Sequence, residues 1–371
     1  MFRPRIKLEH LPVRHGEDRI RIGGIVPGIA TEVADPDGWV WALLAALDGG
    51  RTVDQVVADL VRLFPAHAED EVREAVEDLV REGYVENAAE ALPEGLSAHE
   101  RERYGRGRAL HRWMDRTPRL TSWDTQLLLR RSGVVVVGVG GVGSTAALAL
   151  VASGVGRVHC VEPDVVELSN LNRQVLYTEA DLGRPKVEVA VDRLRAHNSH
   201  VRVTGERCTV VGPESLRRLA VGFDVLLLAA DTPREIRSWA NRACLDTGTA
   251  WVHGGYKGPQ VNIGRYEPGA GPCYDCAYAA ERDRLSAQPA RTAMAAASGA
   301  QRPQASNAVT AGIAGSLAAH AVMSLLTGAP RLRVNCEFGF NLATLQDSRA
   351  LGPEQRREDC PTCGHSAHGS V

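Results

Sequence analysis

The residues with chemical promise cluster between positions 138 and 231. Gly138-Val139-Gly140-Gly141-Val142-Gly143 follows an apolar tetrad, Val134-Val135-Val136-Val137. Glycines in such a turn let backbone approach a phosphate closely, and the helix they open aims its N-terminus at the anion. Glu162 ends a second apolar run, where a carboxylate can accept bonds from ribose hydroxyls. Taken alone, these residues describe a dinucleotide fold for NAD or FAD. The next segment changes the reading. It carries Asp164, Asn170, Arg173 and Gln174, then Gly183-Arg184-Pro185-Lys186 leading into a helix, and later Asp231 after a strand. A dehydrogenase has no use for Arg173, Lys186 and Asp231 at the phosphate end. An enzyme that splits ATP does: two cations would neutralise the triphosphate and its departing pyrophosphate, and Asp231 could hold Mg²⁺.

The second constellation is sulfur. Cys273 and Cys276 form one C-x-x-C, Cys360 and Cys363 another. Four thiolates make the tetrahedral set that suits Zn²⁺. A closed four-cysteine site offers no catalytic position, so its expected contribution is folding free energy, tying the tail back to the domain. A redox reading needs one reactive pair and leaves the other unexplained. His365 and His368 are spare ligands at best. Cys208, Cys244 and Cys336 read as buried small hydrophobes.

Alternating elements must position these groups. Val134 to Val137, Val158-His159-Cys160-Val161, Val201-Arg202-Val203 and Val225-Leu226-Leu227-Leu228 read as strands. Helices are expected over about 143–153 and 185–196. This βαβ alternation predicts a Rossmann-like doubly wound α/β sheet. The first ninety residues read as a separate, winged-helix-like α+β unit. Ile6-Lys7-Leu8 and Arg19-Ile20-Arg21-Ile22 alternate like hairpin strands. A helix starts at Asp35-Pro36-Asp37-Gly38, Thr52 caps a second, a third runs over 69–81, and Tyr84-Val85 starts a final strand. The third helix is acidic (Glu69, Asp70, Glu71, Glu74, Glu77, Asp78), which phosphate would repel. Binding of a peptide along an exposed strand edge fits better than DNA. Residues 88–97 read as linker. An arginine-rich stretch follows over 101–131; such a run is usually a solvated helix face, but its place before the glycine turn suits a phosphate-directed arginine.

Composition sets limits. Lys+Arg is 43 and Asp+Glu 45, giving net −2, which argues against a protein built to coat nucleic acid or anionic lipid. No signal peptide is legible behind Met1, and the apolar stretch 309–326 is interrupted by Gly312, Gly315 and His320. The expectation is a cytoplasmic protein without nucleic-acid or membrane partners.

These motifs together resemble the ThiF/MoeB superfamily of ubiquitin-activating-enzyme-like adenylyltransferases. The likeness rests on G-x-G-G-x-G, Asn170-Leu171-Asn172-Arg173-Gln174, Gly183-Arg184-Pro185-Lys186, Asp231 and the two cysteine pairs, and covers roughly 103–363. It implies ATP, Mg²⁺ and structural Zn²⁺ as cofactors. Gly138, Gly140, Gly141, Gly143, Glu162, Asp164, Asn170, Arg173, Gln174 and Lys186 would hold the nucleotide, with Glu162 where the superfamily usually has aspartate. Asp231 would hold Mg²⁺. The superfamily's R-Y-x-R element stands here as Arg103-Tyr104-Gly105-Arg106, so Arg106 would reach the partner's site in a homodimer; Arg106, Arg173, Lys186 and Asp231 would be the catalytic set. Thioester-forming relatives carry a cysteine after the first zinc pair, and here 281–308 has none. The chain would therefore stop at the adenylate. The residues ahead of Arg103 resemble a peptide clamp, and the whole is similar to the microcin C type of peptide-adenylating enzyme. The expected domains are thus 1–90, a precursor-peptide-binding unit, and 91–371, an adenylation unit. The implied activity is adenylation of a ribosomally made peptide at its C-terminus or at a side-chain carboxylate or amide. The alternatives are adenylation of a Gly-Gly-ending sulfur-carrier or ubiquitin-like protein, and a non-catalytic scaffold for a leader peptide. Trp251, Tyr256 and the stretch 262–266 are expected to line or border the acceptor site.

Overall fold

The computed structural model describes residues 1–24, 26–287, 305–353 and 355–364. The chain packs as two compact units, 1–128 with 327–331, and 129–326 with 332–371. The first unit therefore runs on past residue 90.

In the first unit the order is β1 (Pro4–Ile6), β2 (Val13–Arg14), β3 (Arg19–Ile22), β4 (Thr31–Ala34), α1 (Trp39–Ala46), α2 (Val53–Leu63), α3 (Glu69–Arg81), β5 (Val85–Asn87) and α4 (Ala98–Met114). The helices begin where their caps dictate. Thr52 accepts the Gln55 N–H, and Gln55 returns a bond to the Thr52 N–H, closing a capping box on α2. One helical face buries Val56, Val57 and Leu60 from α2, and Val72 and Val76 from α3, against Ile6, Ile20, Ile22 and Leu43. The hairpin expectation needs correcting. β1 pairs antiparallel with β5, Ile6 opposite Val85, and β3 lies between β2 and β4. Leu8 starts a 3₁₀ turn and is exposed. That turn carries the chain out of register with β3. Alternation marks a half-buried strand without naming its partner.

After α5 (Asp124–Arg131), the second unit runs β6 (Gly133–Val137), α6 (Gly141–Ala152), β7 (Arg157–Val161), α7 (Lys186–His197), β8 (Arg202–Glu206), α8 (Pro213–Ala220), β9 (Val225–Leu228), α9 (Ile236–Thr247), β10 (Ala250–Lys257), β11 (Gln260–Tyr266), α10 (Tyr274–Ser286), α11 (Ala308–Thr327), β12 (Cys336–Asn341) and β13 (Gln346–Leu351). One eight-stranded sheet has the order β13-β12-β11-β10-β9-β6-β7-β8. The five strands from β8 to β10 are parallel, and β10 to β13 continue antiparallel. Both faces of β6 are buried, which is why it reads as an unbroken valine run. From β6 the chain winds outward to β7 and β8, then returns to β9 on the other side. The crevice at the C-terminal ends of β6 and β9 is the switch point where such sheets bind ligands.

The apolar stretch also needs correcting. α11 is 20 residues of mean hydropathy 1.6, long and apolar enough to cross a bilayer by length and composition. Half of that window is buried inside the protein, and Ala314, Ala318 and Val322 join the core around β6 and α6. Gly312 and Gly315 do not interrupt the helix. Gly315 has a packing reason: a Cβ there would lie 2.6 Å from the Val142 carbonyl oxygen.

Candidate functional site

The glycine turn sits at the end of β6. Gly138 has φ +90° and lies so close to β9's exit that a Cβ would meet the Ala230 nitrogen at 2.9 Å. At Gly143 a Cβ would lie 1.8 Å from the Gly138 carbonyl oxygen. The turn therefore admits no side chain at either position. Gly140 caps α6, whose N-terminus lines the crevice, an arrangement that suits an anion. Gly141 packs against Arg173 and Ala311.

Glu162 is buried and holds this turn. One carboxylate oxygen accepts the Val139 N–H at 2.8 Å, the other the Asp164 N–H at 3.1 Å. Tyr177 donates its hydroxyl to the Val139 carbonyl at 2.7 Å, and burial pushes its phenol well up, so it stays a donor. Sequence reasoning missed Tyr177; its only signal was an aromatic in a loop.

The segment after β7 folds back on itself. Glu167 and Asn170 cap a short 3₁₀ turn, and Asn170's carbonyl accepts from the Arg173 and Gln174 N–H groups. Arg173 is tethered at the surface by the Ser169 carbonyl, 2.8 Å away. Lys186 opens α7, where its main chain bonds the Asp164 carbonyl and its Nζ lies 3.3 Å from Asp164 Oδ2. Its side chain is 6% exposed. A buried cation at the positive end of a helix costs stability, so its placement points to an anion. Asp231, three residues past β9, is exposed, with the Thr232 hydroxyl 3.4 Å away.

All of these open on one cleft of about 770 Å³, lined by Gly138, Gly140, Gly141, Glu162, Asp164, Asn170, Arg173, Gln174, Lys186 and Asp231, in the range of ~300–1,000 Å³ usual for small-molecule sites. Gly143 lies beneath it, buried. Two buried polar atoms of cleft residues, Gln174 Oε1 and Arg237 Nε, have no hydrogen-bond partner. Such atoms are rare without a ligand. Arg106 is not among the lining residues; it stands exposed on α4 in the first unit. Tyr256 lines the cleft as expected, but Trp251 does not. Trp251 is 1% exposed and stacks on Tyr266 at 4.9 Å inside the core. Strand alternation turns it to the α9 face, where Tyr266 and Tyr274 cover it. Cys244 and Cys336 are buried as expected; Cys208 is not, and lines the cleft in the loop after β8.

The cysteine pairs meet. Four Sγ atoms lie within 4.8 Å of one another. Cys273–Cys276 is 3.9 Å, Cys273–Cys360 3.6 Å and Cys276–Cys363 3.4 Å. Thiolates about 2.3 Å from zinc at tetrahedral corners are about 3.8 Å apart, so the cluster fits that ion. Burial pushes the Cys273 thiol up, and the Cys363 thiol up to about 11. At Cys360 burial is outweighed by the N–H groups of Cys363 and Thr362, which bring it down. Asp275, between the first pair, accepts from Thr362 at 2.5 Å and from Ser238 at 2.7 Å, locking tail to α9. Gly364 completes the second knuckle; a Cβ there would meet the Glu358 carbonyl oxygen at 2.4 Å. His365 and His368 lie outside the described residues, as does most of the cysteine-free segment 281–308.

Three comparisons place this architecture. The adenylyltransferase and sulfurtransferase MOCS3 of Arabidopsis thaliana is 31% identical over 218 residues, 59% of this chain and 45% of that protein. A sulfur carrier protein adenylyltransferase of Thermus thermophilus is 40% identical over 161 residues, 42% of this chain and 58% of that one. The chain spans about half the length of these curated relatives. Among solved structures, E. coli MccB in its ATP form has a TM-score of 0.74 at 19% identity, over 97% of this chain and 99% of that one. PaaA has a TM-score of 0.65 at 23% identity, over 93% and 99%. At these identities the structural likeness is one of fold. The ThiF family model matches residues 114–362, which hold the glycine turn, the cleft and three of the four clustered cysteines, with Cys363 one position beyond, and the chain belongs to the ThiF family.

Proposed function

We propose that this protein is an ATP-dependent adenylyltransferase acting on a ribosomally made peptide. The carrying observation is the cleft that gathers a glycine turn at a helix N-terminus, the cations Arg173 and Lys186 and the exposed carboxylate of Asp231. A carboxylate oxygen of the acceptor attacks the α-phosphorus. A new P–O bond forms, the bond to the β-phosphate bridge breaks, and pyrophosphate leaves with the electron pair. No general base is needed. Lys186 and Arg173 face the charge that develops on the phosphates, and Gly140 to Gly143 cradle them with backbone N–H groups. Asp231 would hold Mg²⁺, which supplies further charge neutralisation. Cys273, Cys276, Cys360 and Cys363 would hold Zn²⁺ as a structural tie.

The peptide acceptor is supported by coverage. The MccB likeness spans 97% of this chain, including the residues ahead of the ThiF match. Solved forms of MccB include MccA. A second reading, a sulfur-carrier protein as acceptor, is favoured by the 40% identity to the Thermus thermophilus enzyme, well above the 19% to MccB.

ATP–pyrophosphate exchange tests this. Exchange should depend on a peptide encoded beside the gene, the peptide should gain an adenylyl group by mass, and Asp231→Ala should lose at least about 100-fold. Exchange only with a Gly-Gly-ending carrier would establish the second reading. Peptide binding without any exchange would leave a scaffold.

A homodimer with shared sites is part of this proposal. Arg106 on the exposed face of α4 would act in the partner's cleft. Arg106→Ala should cut exchange at least about 100-fold without lowering ATP affinity. Mixing it with Asp231→Ala should restore activity that neither has alone, since one mixed site is then intact. Absence of rescue would place the finger elsewhere.

A further inference from the structure

Arg237 took no part in the sequence-derived site, yet it lines the cleft. It sits in the first turn of α9, six positions past Asp231. Its Nε is buried without a hydrogen-bond partner, and among the described residues it makes no ion pair. Its surroundings hold it without consuming its charge. Glu337, the nearby carboxylate that interacts with it electrostatically, is bonded instead to His253 at 3.1 Å. Burial raises the Tyr274 phenol to about 12, so beside the guanidinium it remains a neutral hydroxyl.

The sheet beneath Arg237 is bare. Gly255 on β10 lies opposite Asn262 on β11, which lies opposite Gly339 on β12. Directly paired residues share a face, so this row across three strands carries one side chain. The neighbouring row on that face, His253–Gly264–Glu337, is closed over: a Cβ at Gly264 would lie 2.1 Å from His253 Nε2. Arg237 Nη2 occupies the space above Gly255, 3.2 Å from where a Cβ would stand. The guanidinium thus lines the cleft over a floor on which Asn262 carries the one side chain of that row. α9 leads into β10 and α7 into β8, on opposite sides of β6 in the sheet, so Arg237 stands apart from Lys186, which the proposal assigns to the phosphates.

We infer that Arg237 binds the acceptor's reacting carboxylate, holding one oxygen while the other faces the α-phosphorus. This rests on the adenylyltransferase reading. The planar fork can give two N–H groups to that one oxygen and so fixes the direction of the other, which a lysine's rotating ammonium does not. The glycine row lets the acceptor's last residues lie against the sheet. Arg237 is a binding and positioning residue, and takes no proton.

The probes are hexa-alanyl peptides ended by each of the twenty residues, with free carboxylate or with carboxamide. Wild-type exchange should respond to at least one carboxylate peptide, and its carboxamide should inhibit at least tenfold more weakly than the carboxylate binds. Arg237→Gln should raise the acceptor KM about 10–100-fold, leave the ATP KM within threefold, and abolish discrimination between carboxylate and carboxamide. Arg237→Lys should recover part of the KM and little of the discrimination. Gly255→Ala, which displaces the guanidinium without removing its charge, should raise the acceptor KM in the same direction. An unchanged acceptor KM in Arg237→Gln, or intact discrimination, overturns the inference. So does silence of the whole panel in a wild type that exchanges with the gene-neighbour peptide. Absence of exchange with every acceptor overturns the adenylyltransferase reading instead.

Discussion

Lys186→Met is expected to cut pyrophosphate exchange by two to three orders of magnitude while leaving the protein as stable as before, or more so. The two effects come from one arrangement. Lys186 is the first residue of α7, at the positive end of the helix dipole, with its side chain 6% exposed. A cation there is disfavoured by about 0.3–1 kcal/mol through the dipole alone, and burial adds to that. Its ion pair with Asp164 offsets little, because Asp164's side chain is 65% exposed and screened by solvent. Methionine keeps the stem that packs against the core and removes the charge. The folded protein is then relieved of a cost, and Tm should stay level or rise by roughly 2–4 °C. The proposed reaction would lose the buried cation assigned there to the charge of the leaving pyrophosphate, and removing one such preorganised group costs about 10²–10³ in rate. Calorimetry and exchange on the same preparations decide it. Retained exchange would mean that Lys186 is a structural charge. Exchange and Tm falling together would mean that the loss is one of folding.

Much of this was legible in sequence because local chemistry marks it. α3 begins at Glu69 and ends at Arg81, as its valine face and the following Gly83 predict, and the capping box at Thr52 marks α2. β6 announced itself by four consecutive valines, a pattern only a strand buried on both faces requires. The residues proposed to meet phosphate are similarly visible, since glycine turns and cations at helix starts have few other uses. What stayed hidden depends on distant parts of the chain. Nothing in Ile6-Lys7-Leu8 names β5, some eighty positions on, as its partner. Nothing local tells that Trp251 turns inward to Tyr266 while Tyr256 reaches the cleft; that is set by how α9 and α10 cover the sheet. Cys208 and Arg237 belong to the same class. A lone cysteine after a strand and one arginine among many carry no signal until the sheet closes around them. α11 also runs through the glycines that read in sequence as interruptions, because a glycine is tolerated in a helix where a neighbour packs against it, as Val142 does against Gly315.

Cys360→Ser should remove zinc from the protein and lower the Tm of the second unit by roughly 10 °C. Wild type should contain one zinc per chain. The cluster joins α10 to a tail 87 positions later, and that tail is further tied by polar contacts: Thr362 to Asp275, Arg357 to Asp283, and Arg356 to the Gly269 and Gly271 carbonyls. In the chain-entropy picture, a cross-link closing a loop of that length restrains the unfolded chain by about 4–5 kcal/mol. A unit of this size shifts by about 2–4 °C per kcal/mol, so about 10 °C follows even if part of the restraint survives through those polar ties. Burial makes the site depend on the ion in a further way. The Cys273 and Cys363 thiols are pushed up by burial, so without a cation they remain protonated near neutral pH, and with one they must release their protons. Zinc affinity should therefore fall as pH drops, with protons released on binding. Exchange at a temperature well below the mutant's Tm should persist at close to the wild-type rate, because none of the four clustered cysteines lines the cleft that holds Lys186 and Asp231. Metal analysis, a thermal melt with and without chelator, and exchange at low temperature separate the outcomes. Exchange lost at a temperature where Cys360→Ser is fully folded would give these sulfurs a part in the reaction, and an unchanged Tm after zinc removal would deny them the structural one.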